Sequence, residues 1–186
     1  MNHHTERLFL ALPFDSREQK EFLSMSASWK HHAEFRKWTH PDDSHITLHF
    51  LGDISTEHQT LIGPAVRKAV EDITAFNLCL DKTGVFGQPT HPSVLWLGPT
   101  QTPPELTQLY AALGQQLQQS IGYMPESRPY SPHLTLARKY AGEVPFHYGR
   151  LSVLEPFCWE VREAVLYRSK PGHHPMYEII ERYPFN

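Results

Sequence analysis

Two short segments constrain this chain more than anything else in it. Ser44-His45-Ile46-Thr47-Leu48-His49-Phe50-Leu51-Gly52 has a near copy in Pro132-His133-Leu134-Thr135-Leu136-Ala137-Arg138, and each reads His-x-Thr-Leu. Polar and apolar residues alternate through both, the period-two pattern of a half-buried β-strand. Residues i and i+2 of a strand point to one face, roughly 6.5 to 7 Å apart. His45 is therefore expected beside Thr47, and His133 beside Thr135. The opposite faces, Ile46, Leu48, Phe50 and Leu134, Leu136, are expected in the core.

What precedes each copy is also repeated. Arg7 to Leu12 (RLFLAL) and Val94-Leu95-Trp96-Leu97-Gly98 read as buried strands, and 35 positions separate Leu10 from His45 where 37 separate Trp96 from His133. After the first strand, Asp15 with Glu18 three residues on forms a capping box for a helix whose buried stripe is Phe22, Met25 and Trp29. After the second, Thr102 with Pro103, Pro104 and Glu105 is read as the cap of a helix carrying Leu106, Leu109, Leu113 and Leu117, which Gly122 ends. Between them, Leu61, Ile62, Ala65, Val66, Ala69 and Val70 make a third helical face, in which Pro64 marks a kink or the helix start. Gly52 is expected to end the first motif strand. Phe157 to Tyr167 and Met176 to Pro184 complete the sheets. The result is one bilobal α+β domain over 1–186, with duplicated halves near 1–90 and 91–186, related by a pseudo-twofold and presenting their His-Thr faces across a cleft.

One His-x-Thr on a strand is weak evidence, because a sheet-face His is more often a surface residue than a catalyst. Two copies supply an acid, a base and two hydroxyl donors around one small anion, which is what opening a phosphate ester without a metal requires. A formal net charge of -3 argues against tight non-specific binding along a nucleic-acid backbone, while leaving room for one terminal phosphate. No apolar run approaches a membrane span, and the N-terminus has no signal-peptide pattern, so a cytoplasmic monomer with no membrane role and no protein partner is expected. Cys79 and Cys158 lack Cys-x-x-Cys spacing and are read as buried free thiols. The pairs His3-His4, His31-His32 and His173-His174 are read as solvated surface.

The segments His45-Ile-Thr-Leu-His-Phe-Leu-Gly52 and Pro132-His-Leu-Thr-Leu-Ala-Arg138 resemble the 2H phosphoesterases, in particular the bacterial RNA 2′,3′-cyclic phosphodiesterases, also called 2′-5′ RNA ligase-like proteins. The likeness extends to the RLFLAL strand, Gly84-Val85-Phe86 and the Pro before the second motif. It implies a bilobal α+β fold and hydrolysis of 2′,3′-cyclic phosphate ends of RNA or nucleotides to 2′-phosphates, with reverse 2′-5′ ligation as the companion reaction. His45 and His133 would be the acid/base pair, and Thr47 and Thr135 the phosphate donors. No metal and no other cofactor is called for.

Four other residues have competing readings. His49 shares a strand face with His45, but at i+4, roughly 13 Å away, it suits a cleft wall better than a shared metal. Strict alternation puts Arg138 on the Leu134-Leu136 face, so a surface Arg is as good a reading as a phosphate ligand. Phe86 and Trp38 offer rings for stacking on a base, though aromatics in strand-like runs are more often core. Two other function classes fit less well. One is a module that binds an RNA end or cyclic nucleotide without turnover; the other is a metal-dependent hydrolase, weakened because neither motif contains a carboxylate.

Overall fold

A computed structural model describes residues 5–151 and 155–186, together with all their side chains except those of Ser16 and Arg150; the His3-His4 pair lies outside the described residues. In chain order the elements are β1 (Thr5–Pro13), α1 (Ser16–Lys30), β2 (Phe35–Trp38), β3 (His45–Ser55), α2 (Thr56–Val70), β4 (Phe76–Leu80), β5 (Lys82–Gln88), β6 (His91–Gly98), α3 (Pro104–Ile121), β7 (Leu134–Tyr140), β8 (Phe157–Val161), β9 (Glu163–Ser169) and β10 (Tyr177–Pro184). Short 3-10 turns cover Pro41–Asp43 and Tyr148–Arg150.

Strands pair in the order β10-β9-β1-β3-β7-β6-β5, with β2 also on β7, while β4 and β8 form a separate ribbon. All the pairings are antiparallel. The apolar run Leu8, Leu10, Leu12 lies at the centre of the sheet and is fully buried, facing Ile62 and Val66 of α2 and Leu106, Leu109, Leu113 and Leu117 of α3 in one core. Asp15 caps α1 by accepting the Arg17 N–H at 2.9 Å, and Phe22 and Trp29 are buried beneath that helix. Gly122 takes φ 68°, and its N–H caps the end of α3 on the Gln118 and Leu117 carbonyls; this left-handed conformation is one that glycine adopts without steric cost.

Four local expectations need correcting. Ser55 caps α2, and Pro64 sits inside that helix. Pro103, not Thr102, occupies the cap position of α3, with no side-chain hydrogen bond; a Pro at the helix start presets the backbone without needing a hydroxyl cap. Gly52, at φ 79°, sits beside a register shift in a strand that continues to Ser55. Cys79 and Cys158 form a disulfide, because antiparallel β4 and β8 place them directly opposite, 4.1 Å apart at Cα, on the outward face of the ribbon. Separation by 79 positions in sequence gave no sign of that pairing.

The two His-x-Thr motifs meet at a seam. β3 and β7 pair at a single position, Ile46 opposite Leu134, so only the beginnings of the two strands overlap. Beyond it, β3 runs on along β1, and β7 runs the other way between β6 and β2. The repeat suggested faces opposed across a cleft; the motifs instead lie side by side in one sheet.

Candidate active site

An antiparallel pair at Ile46 and Leu134 sets His45 next to Thr135 and Thr47 next to His133. Ile46 and Leu134 point to the core, so the four polar side chains rise together from the other face of the sheet. Diagonal neighbours in such a square are separated by roughly 7 to 8 Å, a span one phosphate can bridge. All four line a cleft of about 530 Å³, together with Arg138, Asp43, Tyr177 and residues of β2 and the following turn.

Each histidine is anchored in the same way. His45 Nδ1 lies 2.7 Å from the Asp43 backbone carbonyl, and His133 Nδ1 lies 2.8 Å from that of Ser131. A carbonyl only accepts, so Nδ1 carries the hydrogen in both rings. Nε2 is left as the atom that can lose or gain a proton. The surroundings differ. His45 is boxed in by Phe9 at 4.9 Å, Tyr177 at 5.0 Å and Tyr167 at 5.7 Å between ring centres. Phe86 meets His133 edge-on at 4.9 Å, with Trp96 at 6.2 Å. Trp96 itself lies across Gly84 on the neighbouring strand, where a Cβ would come within 2.0 Å of the indole, so a side chain there would displace the wall behind His133.

Burial lowers the pKa of His45 to about 4, against the opposing pull of the Asp43 carbonyl; the Arg138 cation and His133 push it further down. His133 is lowered too, first by burial and then by Arg138, with the Ser131 carbonyl opposing. Both imidazoles are therefore biased toward the neutral form in the free protein.

Arg138 reaches this site because the strand is irregular. Across from β6, Trp96 pairs with Thr135 and Leu95 with Ala137, which leaves Leu136 as an extra residue in β7. Such a bulge reverses the alternation that follows it. Arg138 consequently turns into the cleft, with its guanidinium 3.5 Å from the Thr135 hydroxyl, instead of sharing the Leu134-Leu136 face. β3 does the same thing at Leu48, since Leu10 pairs with His49 and Ala11 with Thr47. His49 thereby leaves the His45 face for the core, where it is 1% exposed. Its Nε2–H donates to the Tyr110 carbonyl at 2.8 Å, the Tyr123 hydroxyl meets Nδ1 at 3.3 Å, and its ring stacks on Tyr110. Phe50, expected in the core, is 52% exposed on the cleft side, paired with Phe9.

Three further features of the site escaped the sequence. The buried Asp43 carboxylate accepts the Met176 and Tyr177 N–H groups at 2.7 and 3.1 Å, tying the C-terminal hairpin to the same residue whose carbonyl holds His45. The Tyr130 hydroxyl donates to the Thr47 carbonyl at 3.1 Å and so joins the approach to the second motif to the first. His174, read as solvated surface, lines the cleft. Trp38 forms part of the wall, while Phe86 acts through its packing on His133. Among the described residues no group of three His, Cys, Asp or Glu is placed to hold a metal ion, and no helix is long and apolar enough to cross a membrane.

The sequence matches the family model described as the 2′-5′ RNA ligase superfamily over residues 17–173. It is 35% identical over 156 residues to the RNA 2′,3′-cyclic phosphodiesterase of Bacillus subtilis, covering 80% of each chain. It is also 33% identical over 178 residues to the protein of that name from Geobacillus stearothermophilus, covering 95% of this chain and 56% of the relative's length. The structure superposes on Escherichia coli LigT complexed with 3′-AMP with a TM-score of 0.77 and 26% identity, over 98% of this chain and 99% of the other. The mixed antiparallel fold expected from the resemblance is thus the fold observed.

Proposed function

This chain belongs to the 2′-5′ RNA ligase superfamily, and from that premise we propose that it hydrolyses 2′,3′-cyclic phosphate ends of RNA or nucleotides to 2′-phosphomonoesters without a metal. The observation behind this is the seam itself, where two Nδ1-anchored imidazoles and two hydroxyls line one cleft. The Thr47 and Thr135 hydroxyls donate to the non-bridging oxygens, each bond worth roughly 1.5 to 3 kcal/mol as a hydrogen bond to a charged group. His133 Nε2 takes a proton from water as the water oxygen attacks phosphorus. The bond from phosphorus to the ribose 3′ oxygen breaks, and His45 Nε2–H protonates that oxygen. One water is consumed, and the proton taken up at His133 returns to His45 through solvent.

Burial lowers free His45 to about 4, and the substrate's phosphate anion beside it favours the imidazolium that the acid role requires. Arg138 neutralises charge on the same phosphate. Run backward, the same roles would support 2′-5′ ligation. The setting proposed is a cytoplasmic monomer, and reducing conditions there would return Cys79 and Cys158 to free thiols.

The test is incubation with a panel of 2′,3′-cyclic phosphates in excess chelator, with the product identified by phosphorus NMR. A 2′-phosphate formed at an undiminished rate is expected. Turnover that vanishes in chelator and returns with a divalent ion would favour a metal hydrolase. Tight binding with no turnover would favour a binding module.

A further inference from the structure

A second hollow of about 630 Å³ adjoins the cleft, between α1 and the turn at 39–42. Trp38, Thr39, His40 and His174 line both spaces, so the two lie side by side. Resting on the cyclic-phosphate reading above, we propose that this hollow holds the nucleotides that precede the cyclic phosphate. The substrate class is then single-stranded RNA of at least two nucleotides, in preference to a free cyclic mononucleotide.

Charge is the first reason. The chain carries a formal net charge of -3, yet Lys20, Lys30, Arg36 and Lys37 gather along these two spaces, and no ion pair engages any of the four among the described residues. The nearby acids do not cancel them. Asp43 is occupied by two backbone N–H groups, and Asp42 is a single carboxylate against Lys20 and Lys30 in the hollow's lining. Four unpaired cations on an otherwise acidic protein form a track for phosphates leading away from the reaction centre.

The second reason is the ring between the spaces. Trp38 is half-buried, its edge packs on Phe35, and the Lys30 ammonium sits 5.8 Å from the ring centre. Trp38 lines both spaces, so the ring and the ammonium above it stand where the hollow meets the cleft. Sites for single strands combine a basic groove with such a platform, and base stacking contributes about 1 to 3 kcal/mol per base whatever the base. Most residues lining the hollow carry a polar end on an apolar stem or ring, with Leu23 as its exposed large apolar residue, a mixture that suits bases and phosphates together.

The decisive experiment compares kcat/KM for a cyclic mononucleotide and for di- and tetranucleotides ending in the same cyclic nucleotide, across a salt series, with wild type and a Lys20→Gln/Lys30→Gln double variant. Oligonucleotides should be favoured by about tenfold or more, the size of one base stack. The double variant should lose most of that advantage, and its log–log salt slope should fall by about 1.4, two single-strand phosphates at about 0.7 each. Hydrolysis of the mononucleotide, which does not extend to these lysines, should change by less than about twofold. Equal kcat/KM for all lengths, or an equal loss on all lengths in the variant, would overturn the proposal. If nothing is hydrolysed, the functional reading fails separately. Fluorescence anisotropy then decides the groove by itself: a labelled tetranucleotide should bind more tightly than a mononucleotide, by a margin the double variant loses, and equal binding would refute it.

Discussion

After the bulge in β3 the next residue is His49, and after the bulge in β7 it is Ala137; both are buried, at 1% and 0% exposure. One position further, Phe50 and Arg138 both turn to the cleft side of the sheet. The backbone manoeuvre is therefore the same in the two motif strands, and the side chains it delivers are not. One copy presents an apolar ring beside Phe9, and the other a cation beside Thr135. The rings around the two histidines differ too, with three around His45 and two beside His133. Two matching motif strands thus supply two similarly anchored imidazoles, and local packing makes them inequivalent, which is what the proposed acid/base pair requires.

Removing either imidazole should have the largest effect. His45→Ala and His133→Ala should each lower kcat by about 10² to 10⁴. A phosphodiester whose leaving group needs no protonation should partly restore the first variant and not the second, and single-turnover rates with both substrates would show this. Equal rescue of the two would break the asymmetry argued here.

Next comes the contrast three residues beyond each Thr. Arg138→Leu should cost roughly 1.5 to 3 kcal/mol in kcat/KM, about 10- to 150-fold, as loss of a charged partner for the phosphate. Phe50→Ser at the matching position should change kcat/KM by less than about threefold. Steady-state kinetics on one cyclic phosphate would compare them, and similar losses would mean that the bulges do not set the cleft's polarity.

The smallest effects should come from the ties between the two motifs. Asp43→Ala strands two backbone N–H groups at the start of the C-terminal hairpin and should lower stability by roughly 1 to 3 kcal/mol, with weaker substrate binding as Tyr177 loosens. Tyr130→Phe keeps the stacking on Tyr110 and loses one hydrogen bond to Thr47, which is worth about 1 kcal/mol. Urea unfolding would rank them. No loss in either variant would show that the seam holds without these contacts.

Much of this was legible in the residues. The alternation of His45 to Thr47 and of His133 to Thr135, the apolar run of β1, the Asp15 cap and the Gly122 stop follow from patterns confined to a few neighbours, and the structure keeps them. The readings of His49, Phe50 and Arg138 failed for one shared reason. A bulge adds a residue without altering composition, and the segments after Leu48 and Leu136 still look like ordinary alternation. Other misses depend on partners far away in sequence. Asp43 meets Met176 across 133 positions, and Cys79 meets Cys158 across 79. His174 in the loop before β10 reaches the cleft wall from the chain's last segment, and nothing local to it announces that.

The central claim is that two unlike imidazoles act as one acid/base pair, and the most direct test is the pH dependence of kcat/KM and kcat in the wild type and in each histidine variant. Burial lowers both imidazoles in the free protein, His45 to about 4, so the kcat/KM bell should centre on the acid side of 6.5, histidine's ordinary value. The bound phosphate anion favours the charged form of both rings, so the kcat bell should lie at higher pH. His133→Gln should remove the acid limb, where the base loses its lone pair to a proton, and His45→Gln the alkaline limb, where the acid loses its proton. Bells displaced in this order, each variant missing its own limb, are the result the account predicts; a variant that keeps both limbs, or a flat wild-type profile, would contradict it.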